Sequence, residues 1–358
     1  MTLRLRSIIV CVCAVAAVIA PSGAALAQEK PRPTLPRPDD KPGAAGKPIK
    51  VFILMGQSNM VGMGDICPES TKGTLRYLTE TDNKYPWLVD GDKWTERKDV
   101  YYYDARVKKG AALGPTANNG KSIGPELGFG YVMGHVLDEP VLVLKSCIGN
   151  RSLGWDLLPP GSKSFTFDGK TYAGYKDTPD AWVDGQPKKE VNWYAGKQYD
   201  DDMANAKEAL KTIAKWYPGH KDRGHEIAGF VWWQGHKDTG SAAHAGKYEE
   251  NLERLIESLR KDYGAPEAKF VLATGCGNPG TEGLGKKVAE AQLAVGDAAK
   301  YKKFAGNVKA VDSRDLWREV ADSPKNQGYH YNRNAETYLE VGLRLGWAMA
   351  ELLDSEKK

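Results

Sequence analysis

Five short apolar runs, separated by stretches with helical spacing, constrain this chain more than any other feature. Val51–Met55, Val141–Leu144, Ile227–Trp232, Phe270–Ala273 and Val308–Val311 contain too few polar residues to leave one face in water. Runs of this kind read as strands buried on both faces, which requires helices on both sides of a parallel sheet. The helices are legible between them. Ser122 or Gly124 ahead of Pro125 marks the start of a helix over Glu126–Leu137. Met203–Tyr217 puts Met203, Ala206, Leu210, Ile213 and Tyr217 on one face, and Leu252, Leu255, Ile256, Leu259 and Tyr263 repeat the pattern. Leu284–Tyr301 and Ala335–Leu353 complete the set, the last with Tyr338, Gly342, Leu345, Met349 and Leu352 facing inward. The expected class is α/β: a three-layer αβα sandwich around a flavodoxin-like, doubly wound, parallel five-stranded sheet. In such sheets ligands bind outside the carboxyl ends of the strands. That rule directs attention to the loops after the first three strands and to the final loop.

The termini of this pattern set the domain plan. Residues 1–27 read as a secretory signal peptide, with Arg4 and Arg6 before the apolar run Ile8–Ala20 and Ala25-Leu26-Ala27 as the cleavage site. Residues 28–48 carry Pro31, Pro33, Pro36, Pro38, Pro42 and Pro48 and read as a linker, since proline neither continues a helix nor donates to a sheet. The folded domain is expected over 49–358. Two long stretches, 64–120 and 151–200, interrupt the alternation and are expected as functional loops. Their Tyr101, Tyr102, Tyr103, Trp155, Trp182 and Trp193 are candidates for stacking on a ligand.

Composition excludes some partners. The formal net charge is +4, two of the positives lying in the signal segment, so nothing resembles a nucleic-acid footprint. Once residues 1–27 are removed, no stretch is apolar enough over ~20 residues to insert stably in a membrane. Of five cysteines, Cys67, Cys147 and Cys276 remain after cleavage, so at most one disulfide forms within the chain. Neither metal-ligand spacing nor a phosphate-binding glycine motif follows the first strand, and no cofactor is expected. The sequence is silent on oligomeric state.

Four segments at the expected sheet edge carry chemistry. Gly56-Gln57-Ser58-Asn59-Met60 puts a serine where the first strand turns into a helix, with backbone N–H groups facing whatever the hydroxyl attacks. After the second strand, Gly149 suits a place where backbone closely approaches a ligand. After the third, Trp233-Gln234-Gly235 puts a polar amide at the end of a buried strand, able to donate to a developing oxyanion. Before the last helix, His330, one of six histidines, lies in a loop that returns to the edge holding Ser58. An imidazole there can take the serine proton and return it to a leaving group.

Taken together, these blocks resemble the sialate O-acetylesterase and acetylxylan esterase branch of the SGNH hydrolases. The likeness lies in G-Q-S-N-M at Gly56–Met60, the glycine loop at Gly149, W-x-Q-G ending at Gly235, and the late histidine. The resemblance implies Ser58 as nucleophile and His330 as base. It implies an oxyanion hole from the Ser58 and Gly149 N–H groups with the Gln234 side chain, and O-acetyl groups on sugars as substrates. Two positions depart from the family pattern. His236 stands where a glutamate usually follows W-x-Q-G, and Gln327 where an aspartate usually precedes the histidine by three. A serine–histidine pair needs a group to orient its imidazole. Gln327, Asp238, Asp312, Asp315, Asp322 and a backbone carbonyl are all open, with Asp238 named as the candidate.

The expectation is an exported carbohydrate O-acetylesterase, periplasmic or extracellular, acting through an acetyl-Ser58 intermediate. A catalytically impaired glycan-binding member of the same family is the alternative. An esterase for longer acyl chains is a third reading, separable by chain-length preference.

Overall fold

The computed structural model describes residues 33–354 except 218, 221 and 222, and Leu35 onward forms one compact unit. The expected signal peptide, residues 1–27, lies outside the described residues. All five expected strands form: β1 (Ile49–Gly56), β4 (Val141–Lys145), β5 (His225–Trp233), β6 (Lys269–Ala273) and β7 (Val308–Val311). Two further strands, β2 (Arg97–Asp104) and β3 (Lys109–Leu113), join them, so the sheet has seven strands rather than five. The spatial order is β7-β6-β5-β1-β4-β2-β3. All neighbours are parallel except the edge hairpin β2/β3.

The two extra strands come from the stretch 64–120, read from sequence as a loop. The Arg97 and Asp99 side chains disguise β2 as surface, yet both are buried, and Arg97 Nε donates to Asp99 Oδ1 at 2.8 Å. The tyrosine run belongs to this strand and not to a ligand site. Tyr102 enters the core on one face, whereas Tyr103 stacks on Trp216 at 3.9 Å and Tyr101 at 5.9 Å on the other.

Strand pleating sorts β1 into both layers. Phe52 and Leu54 pack with α2 (Glu126–Val136) and α6 (Ala335–Asp354), while Val51, Ile53 and Met55 pack with α3 (Lys197–Lys211), α4 (Ala242–Tyr263) and α5 (Gly283–Val295). Helix boundaries shift from expectation for local reasons. Helix α3 begins six residues early and ends at Thr212, ahead of a short turn at Ile213–Trp216. Helix α4 starts at Ala242, where the Ser241 hydroxyl accepts from the His244 N–H at 3.3 Å. Helix α5 stops before Gly296, where a Cβ would stand 2.4 Å from Ala310 on β7.

Residues 35–48 have no regular secondary structure but lie along the domain. Leu35 is buried, Arg37 pairs with Asp90 at 2.7 Å, and the Ala44 N–H donates to the Asp138 carbonyl. The 151–200 insertion folds a small sheet from Phe165–Phe167, Lys170–Tyr172 and Ala181–Trp182. Cys67, Cys147 and Cys276 are all free thiols. Among the described residues no helix is long and apolar enough to cross a membrane.

Candidate active site

Strand β1 ends at Gly56, whose φ of 153° and closeness to β5 leave no room for a side chain: a Cβ would stand 2.2 Å from the Trp233 carbonyl oxygen. Ser58 follows at the start of α1 (Ser58–Val61), which is a single turn of four residues. The expected helix dipole at Ser58 is therefore reduced to the local N–H groups. The far end of the turn is anchored in the core. Lys145 Nζ donates to the Val61 carbonyl at 2.9 Å and to Glu126 Oε2 at 2.7 Å, both side chains being buried. Glu126 Oε1 in turn accepts from the Gly124 N–H. A buried charge pair with its remaining atoms hydrogen-bonded fixes geometry even where it adds little net stability.

His330 arrives from the loop before α6 with Nε2 2.9 Å from Ser58 Oγ. The serine is 8% exposed, and the histidine is half-buried. Three consecutive non-glycine residues, Tyr331, Asn332 and Arg333, have φ of 49°, 53° and 59°. Left-handed backbone at such residues costs about 1–2 kcal/mol each. Buried contacts hold them there: the Tyr331 ring stacks on Trp233 at 5.4 Å, Asn332 Nδ2 donates to the Arg318 carbonyl, and Asn332 Oδ1 accepts from the Gln327 N–H. Asn59, beside Ser58, ties the two loops. Its Oδ1 accepts from the Tyr338 hydroxyl, which also donates to the His330 carbonyl, and its Nδ2 donates to the Tyr329 carbonyl at 3.4 Å.

No side chain takes the orienting place. His330 Nδ1 is buried with no partner among the described residues, and so is Gln327 Oε1; Gln327 Nε2 donates instead to the Tyr329 hydroxyl at 2.6 Å. Burial, reinforced by the Arg333 guanidinium and His236, lowers the His330 pKa to about 4. The carboxylates held open from sequence are engaged elsewhere. Asp312 pairs with Arg314, Asp315 with Arg344 and Asp322 with Lys72.

Asp238 is held by other partners than His330. It is fully buried and accepts from the Leu153 N–H at 2.9 Å, the Gly154 N–H at 2.8 Å and Gln234 Nε2 at 2.6 Å. It staples the loop after β4 to the loop after β5 and has no contact with His330. Burial raises its pKa despite these donors.

Gln234 is engaged within the protein. Its amide nitrogen lies within bonding distance of Asp238 Oδ2, the Arg151 carbonyl at 2.9 Å and Gln57 Oε1 at 3.2 Å, while its oxygen accepts from Tyr248. An amide has two N–H groups, and three protein acceptors lie within their reach. Gly149 does meet Ser58: a Cβ added there would stand 3.4 Å from the serine Cβ. Ser58, Gly149 and His330 are thus brought together, while Gln234 and Asp238 bond to one another and to the loop after β4.

Of the remaining aromatics, Trp155 and Trp182 pack on a satellite core of Leu158, Ala173 and Ala195, and Lys188 covers Trp182 at 3.4 Å. Trp193 carries the Arg151 guanidinium at 4.8 Å. Sequence reasoning missed Gln57, whose Oε1 accepts from Gln234 and from the Gly235 and Lys237 N–H groups, and Tyr329, which is 49% exposed beside His330. Gln57 was adjacent to Ser58, and that adjacency was the one available signal. Among the described residues no three His, Cys, Asp or Glu side chains converge as metal ligands.

Residues 179–351 match the family described as carbohydrate esterase, sialic acid-specific acetylesterase. The resemblance read from the sequence blocks is to this family; Ser58 and Gly149 lie ahead of the matched segment and Gln234 and His330 within it. The fold is similar to that of a solved protein from Arabidopsis thaliana, at 18% identity and a TM-score of 0.52, covering 84% of this chain and 98% of that one. It is also similar to a carbohydrate acetylesterase from Xanthomonas citri, at 13% identity and a TM-score of 0.50. That match covers 86% of this chain and 57% of the other, so this chain spans little more than half the length of that relative. No curated protein matches the chain.

Proposed function

We propose that this chain, related to the sialic acid-specific acetylesterases among the carbohydrate esterases, is an exported O-acetylesterase that hydrolyses acetyl esters on sugars through Ser58 and His330. The observation that carries the reading is the 2.9 Å contact between His330 Nε2 and Ser58 Oγ. With Nε2 unprotonated, the imidazole accepts the serine proton as Oγ attacks the ester carbonyl. The carbonyl oxygen becomes an oxyanion facing the Ser58 and Gly149 N–H groups. Collapse breaks the ester C–O bond, and the sugar oxygen leaves with the proton from His330. Water, deprotonated by the same imidazole, then attacks acetyl-Ser58; acetate departs and the proton returns to Oγ.

Several features support this reading. The strained Tyr331–Arg333 backbone sits at His330, where strain is retained when a site requires it. Gly149 brings its backbone close to the serine, a Cβ there standing 3.4 Å from the Ser58 Cβ. Export rests on the signal-like residues 1–27. The test is to quench turnover of an aryl acetate at short times and map the acylated peptide by mass spectrometry. Acetyl on Ser58 is the expected result. Unimpaired hydrolysis by Ser58→Ala would contradict it, and sugar binding without any Ser58-dependent hydrolysis would mark a glycan-binding protein instead.

A further inference from the structure

The two positions that depart from the family pattern converge on one residue. His236 stacks on the Tyr329 ring at 6.1 Å with an interplanar angle of 29°, and Gln327 Nε2 donates to the Tyr329 hydroxyl at 2.6 Å. Tyr329 in turn lies against His330, with ring centroids 4.4 Å apart and tilted by 55°. Its backbone is held independently of its ring. The carbonyl accepts from Asn59, and the Gly277 backbone abuts it so closely that a Cβ on Gly277 would meet the Tyr329 carbonyl oxygen at 2.6 Å.

An imidazole that accepts a proton at Nε2 carries its own proton at Nδ1. In the serine–histidine–aspartate arrangement a carboxylate at Nδ1 sets both the tautomer and the ring plane. Here Nδ1 has no partner among the described residues, so no hydrogen bond on the side away from Ser58 sets the plane. Packing is what remains, and the ring packed on His330 is Tyr329.

Resting on the esterase reading above, we propose that Tyr329 is a positioning residue, braced by His236 and Gln327, that holds the His330 imidazole toward Ser58 in place of an orienting carboxylate. The Tyr329 ring does so from outside the reacting atoms. It restricts rotation about the imidazole's side-chain torsions, and it shields the ring from water. The groups facing His330 are Ser58, Tyr329, Arg333 and His236. The last two are cationic when protonated, so they add to the effect of burial.

The test uses the full chain with Tyr329→Ala and Tyr329→Phe, and two readouts. The first is kcat and KM on an aryl acetate. The second is the titration of the His330 imidazole followed by NMR, which needs no turnover. An aromatic contact of this kind corresponds to about two- to tenfold in rate, before counting lost orientation. Tyr329→Ala is expected to lower kcat by about tenfold or more at unchanged KM. It is also expected to move the His330 midpoint upward from about 4, because water reaches the ring. Tyr329→Phe keeps the stack and retains kcat within about twofold. The proposal is overturned if Tyr329→Ala raises KM at constant kcat, which would make the ring a substrate platform. It is equally overturned if kcat and the midpoint both stay put, or if a folded Tyr329→Phe is as impaired as the alanine variant. Failure of the esterase reading looks different: Ser58→Ala would keep its activity, while the NMR titration would still report on the Tyr329 contact.

Discussion

Replacing Asp238 separates a residue that serves the fold from one that serves the reaction. Its carboxylate accepts from the Leu153 and Gly154 N–H groups and from Gln234, at 2.9, 2.8 and 2.6 Å, with no exposure to solvent. Asp238→Ala orphans two buried donors, the Leu153 and Gly154 N–H groups, while the Gln234 amide keeps the Arg151 carbonyl and Gln57 Oε1 within reach. At about 1–1.5 kcal/mol for each unsatisfied group, the expected loss is about 2–3 kcal/mol. The loop has little freedom to recover it, since a Cβ on Gly154 would already stand 2.5 Å from the His244 ring. Against a usual total of about 5–15 kcal/mol this is a large fraction. Asp238→Asn keeps one carbonyl oxygen as acceptor and is expected to cost about 1–2 kcal/mol less. Urea unfolding followed by tryptophan fluorescence measures both, as a fall in midpoint at constant slope. Either variant, once folded, is expected to leave the His330 midpoint unchanged. An Asp238→Ala protein with an unaltered urea midpoint and a displaced His330 titration would refute the reasoning, because the carboxylate would then belong to the catalytic relay.

Other outcomes follow from the same geometry. Gly149→Ala introduces a methyl at ordinary contact distance from Ser58, 3.4 Å, so the urea midpoint should barely move while kcat falls about 10- to 100-fold as the space before the nucleophile fills. The acid limb of kcat/KM is expected near pH 4, where His330 becomes protonated, and not near 6.5; a limb at 6.5 or above would contradict the buried, unpartnered imidazole. Gln327→Asp puts a negative charge in the turn whose Gln327 carbonyl accepts from the His330 N–H, favours the imidazolium and should move that limb upward while raising kcat above pH 7. Because the unfolded imidazole binds a proton between pH 6.5 and about 4 and the folded one does not, stability contributed by His330 rises with pH across that window. Chemical unfolding of wild type and His330→Gln at pH 5 and 7.5 should therefore differ in pH slope, wild type being the steeper.

The parallel block of the sheet was legible because strands buried on both faces must be apolar throughout, as Val141–Leu144 and Phe270–Ala273 are. The edge hairpin was not, since Arg97 and Asp99 neutralise each other inside the protein and so read as solvent-facing residues. At the site, Ser58, Gly149 and His330 could be placed together from topology alone. They stand at the loop after β1, the loop after β4 and the loop before α6, which share one sheet edge. Topology says nothing about which acceptor a buried amide finds. Gln234 has Asp238, Gln57 and the Arg151 carbonyl within reach, a competition settled only by three-dimensional distances. The same limit hid Tyr329. Nothing in Gln327-Gly328-Tyr329-His330 signals that both substituted family positions would close on one aromatic ring.

Acetate release from acetylated glycans, comparing wild type with Ser58→Ala and His330→Ala at matched folding, tests the central claim most directly. The serine–histidine account predicts release by the wild type and a loss of about 10³-fold or more in each variant. Release that persists unchanged in either variant, or a folded wild type as inert as both, would contradict it.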